Sequence, residues 1–115
     1  MANDSFTSVL VTLKEKEFFK NLVIKRGIEK EFFRVDKNGN ISNNSHPPSL
    51  GSALTNKFIT TDFAESQLEL VTPVFENIND LNNFLYSLHV FVAKNIPSNE
   101  LLWPFSMPPK IKNED

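Results

Sequence analysis

Residues 28–36 (IEKEFFRVD), bracketed by Gly27 and by Asn38-Gly39, constrain this chain more than any other stretch. Aromatic and β-branched residues crowd the run, and Asn-Gly supplies the left-handed positions of a tight hairpin turn. The pattern predicts a strand over 28–36 that returns through Asn38-Gly39. On a strand, alternate side chains share a face, so Glu29, Glu31, Phe33 and Val35 point one way. Ile28, Lys30, Phe32 and Arg34 point the other.

The pentapeptide EKEFF at 29–33 also occurs at 15–19, in different company. There it follows apolar residues at Phe6, Val9, Leu10 and Leu13, a helical spacing that Asp4 or Ser5 can cap. Phe18 and Leu22 continue that face less regularly, which assigns the first copy to the helix and leaves Gly27 as the break after it. One copy on a helix and one on a strand do not make a structural repeat.

Further along, 45–54 reads as a loop with one helical turn after Pro48. Residues 58–61 and 67–72 read as strands, the second ended by Pro73. Asn79 or Asp80 opens a long helix with Leu81, Phe84, Leu85, Leu88 and Val92 on one face, and Pro97 stops it. This order predicts an α+β fold, an antiparallel hairpin and sheet with flanking helices. Leu101, Leu102, Trp103, Phe105 and Met107 form an apolar cluster that either packs back on the core or expects further sequence to cover it.

A length of 115 residues suits one domain, and 40% apolar residues with eleven Phe suit a packed interior. The net charge of −2, with no Lys/Arg run beyond two, argues against nucleic acid or an anionic membrane as the main partner. There is no Cys, hence no disulfide, thiolate metal site or thiol nucleophile. No basic leader precedes the short apolar run near the N-terminus, and no stretch reaches the ~18 apolar residues of a membrane span. A soluble cytoplasmic chain is expected.

Glu29 and Glu31 would stand about 6–7 Å apart along one strand face. That spacing suits hard cations, since Mg²⁺ takes oxygen ligands at ~2.1 Å. It equally suits a solvated strand with Lys30 and Arg34 paired across it, and pattern alone favours this plainer reading. Asp62, Glu65 and Glu69 form a second acidic group. An unbroken strand would send Asp62 and Glu69 to opposite faces, so they share a site only if the chain turns between them. Other signatures fail. The run Asp36-Lys37-Asn38-Gly39 places its Gly too early for a calcium loop, and the glycines at 27, 39 and 51 fit no phosphate loop. His46 and His89 lack ligand spacing, and His89 reads as structural.

Three longer stretches, RGIEKEFFRVDKNGNIS, HPPSLGSALTNKFITTDFAESQLELVTP and LLWPFSMPPKIKNED, resemble in order and spacing the N-terminal part of proteobacterial glutamate–cysteine ligase. The resemblance runs from Arg26 to about Asn113. It implies the glutamine-synthetase-like carboxylate–amine ligase fold, with residues 1–115 a single N-terminal portion of a larger catalytic domain. It also implies ATP-dependent joining of the γ-carboxylate of L-glutamate to L-cysteine through a γ-glutamyl phosphate, the first step of glutathione biosynthesis. Mg²⁺ would be the cofactor and ATP a co-substrate. Carried onto matching positions, the Mg²⁺ ligands are Glu29, Glu31, Asp62 and Glu69, and Phe63 lines the pocket for the cysteine side chain. Glu65 matches a motif position without a role. Asn56 and Pro109 stand where family members often carry His and Cys. Later ligands and most of the nucleotide pocket would lie in the C-terminal part of such an enzyme, so the chain is expected to be inactive alone. A non-catalytic remnant, or a regulatory or metal-binding module, is the competing reading.

Overall fold

The structure is a computed structural model that describes residues 4–111. Helix α1 (Asp4–Glu15) is followed by a 3₁₀ turn (Phe18–Lys20) and strand β1 (Glu29–Asp36). A second 3₁₀ turn (Pro48–Leu50) precedes β2 (Ile59–Thr61), β3 (Gln67–Val71), helix α2 (Ile78–Asn95) and β4 (Glu100–Leu102). The strands form one antiparallel sheet in the order β2-β3-β1-β4, so the expected α+β class holds.

The turn after β1 forms where Asn38-Gly39 places it, with Gly39 rather than Asn38 in the left-handed region. Gly39 takes a left-handed φ of 79°, and its N–H donates to the Asp36 carbonyl at 3.0 Å. The Asp36 carboxylate accepts from the N–H groups of Asn38 and Asn40, closing the loop on itself. The returning chain, however, joins β1 only through a bridge between Val35 and Ile41. The opposite edge of the same residues is taken by β4, whose Leu102, Leu101 and Glu100 pair with Arg34, Val35 and Asp36. Strand β4 was not expected from its Pro-rich surroundings.

The even-numbered face of β1 builds the core. Phe32 joins Ile59, Leu68 and Leu70 from the neighbouring strands, and Leu50 and Val92 complete the cluster. Leu85 and Leu88 of α2 lie against it, and Leu81 on the same helix is fully buried. The α2 stripe is thus the one its 3.6-residue period predicts. Its start is corrected by two residues: Asn77 is the cap, because its side chain accepts the N–H of Asn79, and Ile78 opens the helix.

The first EKEFF is not helical throughout. Helix α1 ends at Glu15, and Glu17 adopts a left-handed conformation (φ 52°) before the 3₁₀ turn. The physical reason is visible in the apolar spacing, which steps by three or four up to Leu13 and then by five to Phe18. Phe6, Val9 and Leu10 on α1 stay exposed, as do Leu101, Phe105 and Met107 at the other end. Leu102 packs on the core, so the C-terminal cluster folds back only in part. The chain is correspondingly drawn out, 63 × 33 × 22 Å with a radius of gyration of 20.4 Å, against about 13 Å for a compact chain of this length.

A candidate metal centre on the odd face of the sheet

The register of the sheet decides where the acids go. Glu31 lies directly opposite Glu69, and Glu29 opposite Val71, across β1 and β3. Thr60 lies opposite Glu69 across β2 and β3. Between β2 and β3 the chain turns at 62–66: the Asp62 N–H donates to the Gln67 carbonyl at 3.0 Å, and the Gln67 N–H to the Ala64 carbonyl at 2.9 Å. Asp62 therefore stands across the hairpin from Gln67, on the same face as Thr60, Glu69 and Glu31. The bend required between Asp62 and Glu69 is this hairpin turn.

All four sequence-predicted acids thus share one face of a three-stranded patch, although they come from positions as far apart as 29 and 69. Glu31 and Glu69 occupy a pair whose main chains do not bond each other, the kind in which Cα atoms approach to about 4.5 Å. Like charges placed directly opposite repel. The Glu69 carboxyl shows the consequence. Desolvation, and then the charges of Glu29, Asp62 and Glu31, raise its pKa above the ordinary carboxylate value. Among the described residues no three His, Asp or Glu side chains enclose a single point, so the acids form an open array rather than a closed cage. Its chemistry is hard carboxylate oxygen with unrelieved negative charge, the donor set that fits Mg²⁺.

Gln67 sits within this array and was not singled out from sequence. Its amide nitrogen donates to Glu31 Oε2 at 2.8 Å and to Asp62 Oδ2 at 3.0 Å. The available signal was its place two residues before Glu69, on the same face of the strand.

The turn that presents Asp62 and Phe63 is tied down from behind. Arg34, fully buried, donates from Nη2 to the carbonyls of Asn44, Ser45 and Glu65, and from Nη1 to Glu100 Oε2 at 2.7 Å. Its main-chain N–H reaches the Ser66 carbonyl at 2.8 Å. The other Glu100 oxygen accepts from the Ser42 hydroxyl and from Asn44 Nδ2. Burial raises the Glu100 carboxyl, but the bonds from Ser42, Asn44 and Arg34 prevail and hold its pKa below the ordinary value. The plainer reading of Arg34 as a charge on a solvated strand face is therefore corrected: the end of β1 is covered by the 42–45 loop, the 62–66 turn and β4.

The remaining candidates separate. Phe63 is 94% exposed at the tip of the turn. The Glu65 side chain is also exposed, and only its carbonyl is engaged by Arg34. Asn56 is structural, its Oδ1 accepting from the N–H groups of Phe58 and Ile59 while Nδ2 donates to the Leu50 carbonyl. His46 Nε2 donates to the Gly51 carbonyl, and His89 Nδ1 to the Leu85 carbonyl beside the Phe32 ring. Both histidines are thus engaged with main-chain carbonyls rather than with the acids.

The family model for glutamate–cysteine ligase matches residues 9–115. The glutamate–cysteine ligase of Wigglesworthia glossinidia brevipalpis is 52% identical over 99 residues, 86% of this chain, and that of Proteus mirabilis 50% identical over 92 residues, 80% of this chain. The crystal structure of glutamate–cysteine ligase from Francisella tularensis in complex with AMP superposes with a TM-score of 0.74 at 41% identity, covering 76% of this chain. A bifunctional glutathione synthetase from Pasteurella multocida gives 0.71 at 40% identity over 73% of it. The match takes in 19% and 17% of the two curated relatives, and 18% and 12% of the two solved chains. At that identity and coverage of its own length, the chain belongs to the glutamate–cysteine ligase family.

Proposed function

We propose that this chain is the N-terminal portion of a cytoplasmic glutamate–cysteine ligase catalytic domain and carries part of its Mg²⁺ site on Glu29, Glu31, Asp62 and Glu69. The observation that supports this most directly is the hairpin turn at 62–66. It brings Asp62 round to the face already occupied by Glu31 and Glu69.

The reaction is ATP-dependent: the γ-phosphoryl group passes to the γ-carboxylate of L-glutamate, and the amine of L-cysteine then displaces phosphate to give γ-glutamylcysteine. Bound Mg²⁺ neutralises phosphate charge during such a transfer. The chain's own residues contribute binding and orientation. The four acids supply cation ligands on a rigid sheet, and the Arg34–Glu100 pair fixes the turn that carries Asp62. Phe63, at the tip of that turn, offers an apolar face to the cysteine side chain. The exposed apolar residues of α1 and of 101–107 are surface for the rest of a family-length enzyme, the partner the chain needs for turnover. The high exposure of Phe63 favours a second reading as well, a cation-binding module without turnover of its own.

Thermal unfolding with and without Mg²⁺ tests the site. Mg²⁺ should raise the midpoint of the wild-type chain and leave Glu29→Gln and Glu31→Gln nearly unmoved. Equal responses in all three would remove the metal assignment. ADP release from ATP, glutamate and cysteine should be absent for the chain alone, and turnover would overthrow its dependence on further sequence.

A further inference from the structure

Two of the proposed ligands are held by a residue that is not an acid. Gln67 opens β3, and its Nε2 carries two hydrogens, one for Glu31 Oε2 at 2.8 Å and one for Asp62 Oδ2 at 3.0 Å. The amide can face only this way, because its oxygen would repel both carboxylates. Among the described residues neither Glu31 nor Asp62 has an ion-pair partner, so this amide is the donor that bridges them. It engages one oxygen of each carboxylate and does not engage Glu31 Oε1 or Asp62 Oδ1.

We propose that Gln67 is a positioning residue for cation binding. It aligns Glu31 and Asp62 through one oxygen each while leaving the other for a divalent ion, and this rests on the metal reading above. A lysine or arginine in its place would align the pair equally well but would cancel the charge that attracts the ion. A neutral amide aligns without cancelling. Its length is also specific, because asparagine is one methylene shorter and cannot span a strand and a turn at once. Partners that orient ligands in this way are typically worth 10–100-fold in metal affinity.

Mn²⁺, whose paramagnetism broadens nearby signals, is the probe, read in ¹H–¹⁵N spectra of the 115-residue chain. In the wild type, broadening should centre on Glu31, Asp62 and Glu69. In Gln67→Leu and Gln67→Asn it should keep that centre but need at least about tenfold more Mn²⁺, with the thermal midpoint in chelator little changed. If Gln67→Leu titrates with the wild-type midpoint at the same acids, the inference is wrong and the metal reading survives. If wild-type broadening spares those acids, the metal reading fails and takes the inference with it. Weakened binding accompanied by shifts throughout the sheet would assign Gln67 a structural role instead, and would also overturn the proposal.

Discussion

Replacing Glu100 by Gln should be among the most damaging near-isosteric changes available to this chain. The Arg34 guanidinium is fully buried, and among the described residues Glu100 is its one anionic partner, at 2.7 Å. With Gln at 100, the cation keeps only the neutral carbonyls of Asn44, Ser45 and Glu65. Breaking a buried pair on one side typically costs 3–5 kcal/mol. The new amide oxygen still accepts from some of Ser42, Asn44 and Arg34, but its NH₂ end must face another donor, so the lower end, about 3 kcal/mol, is expected. At about 4 °C per kcal/mol for a domain near this size, the thermal midpoint at pH 7 should fall by roughly 12 °C. The difference should also depend on pH in a defined sense. The Glu100 pKa is depressed in the folded state, so its stabilisation is complete above the unfolded value of about 4.3 and is lost as pH falls towards the folded value. Wild type and Glu100→Gln should therefore converge below about pH 4.3. Urea unfolding from pH 7 down to pH 3 measures both effects. A Glu100→Gln chain within about 1 kcal/mol of wild type at pH 7, or a gap that widens in acid, would refute the account of a buried, hydrogen-bonded ion pair.

Three further outcomes follow from other parts of the molecule. Glu69 has the opposite sign: its pKa is raised in the folded state, so its charge opposes folding above that value and the penalty lifts as pH falls. Glu69→Gln should stabilise the chain in chelator at pH 7 by about 0.5 kcal/mol, the gain shrinking in acid, and destabilisation in urea would contradict the repulsion argument. Leu81→Ala, at a fully buried position, should lose about 2–5 kcal/mol, whereas Phe6→Ala, 69% exposed on α1, should lose under about 0.5 kcal/mol in the same urea titration. Gly39→Ala should cost about 1 kcal/mol from its left-handed backbone alone, because an added Cβ would stand 3.7 Å from Trp103 and clash with nothing; an unchanged urea midpoint would argue against that strain.

Most of the sheet was legible because its signals are local. Asn38-Gly39 marks a turn, alternation marks a strand, and the α2 stripe is a clean helical period. The acids of the candidate site were legible in a narrower sense: spacing alone left Glu29 and Glu31 on a plain strand face, and only the longer motif joined them to Asp62 and Glu69. What stayed illegible depends on partners far along the chain. Arg34 looks like a surface residue until Glu100, sixty-six positions later, arrives beside it. Gln67 acquires meaning only once the register sets it between a strand residue and a turn residue. The first EKEFF was misplaced for a different reason, since helical propensity was extended past the point where the apolar spacing lapses and Glu17 turns left-handed.

The buried pair also orders events in time. Among the described residues, every hydrogen-bond partner of Arg34 except Glu100 lies at or before residue 66, and the pairing of β1, β2 and β3 is complete by Val71. During synthesis at about 5–20 residues per second, Glu100 emerges roughly 1.5–6 s after that three-stranded unit. For that interval Arg34 has no counter-ion, and burying it would be strongly unfavourable. The end of β1 must stay open until β4 arrives, while the local β2–β3 hairpin can close within microseconds. Strand β4 thus acts as a clasp that delays closure of the sheet, and the folding rate should be sensitive to Glu100 rather than to the acids on the odd face of the sheet.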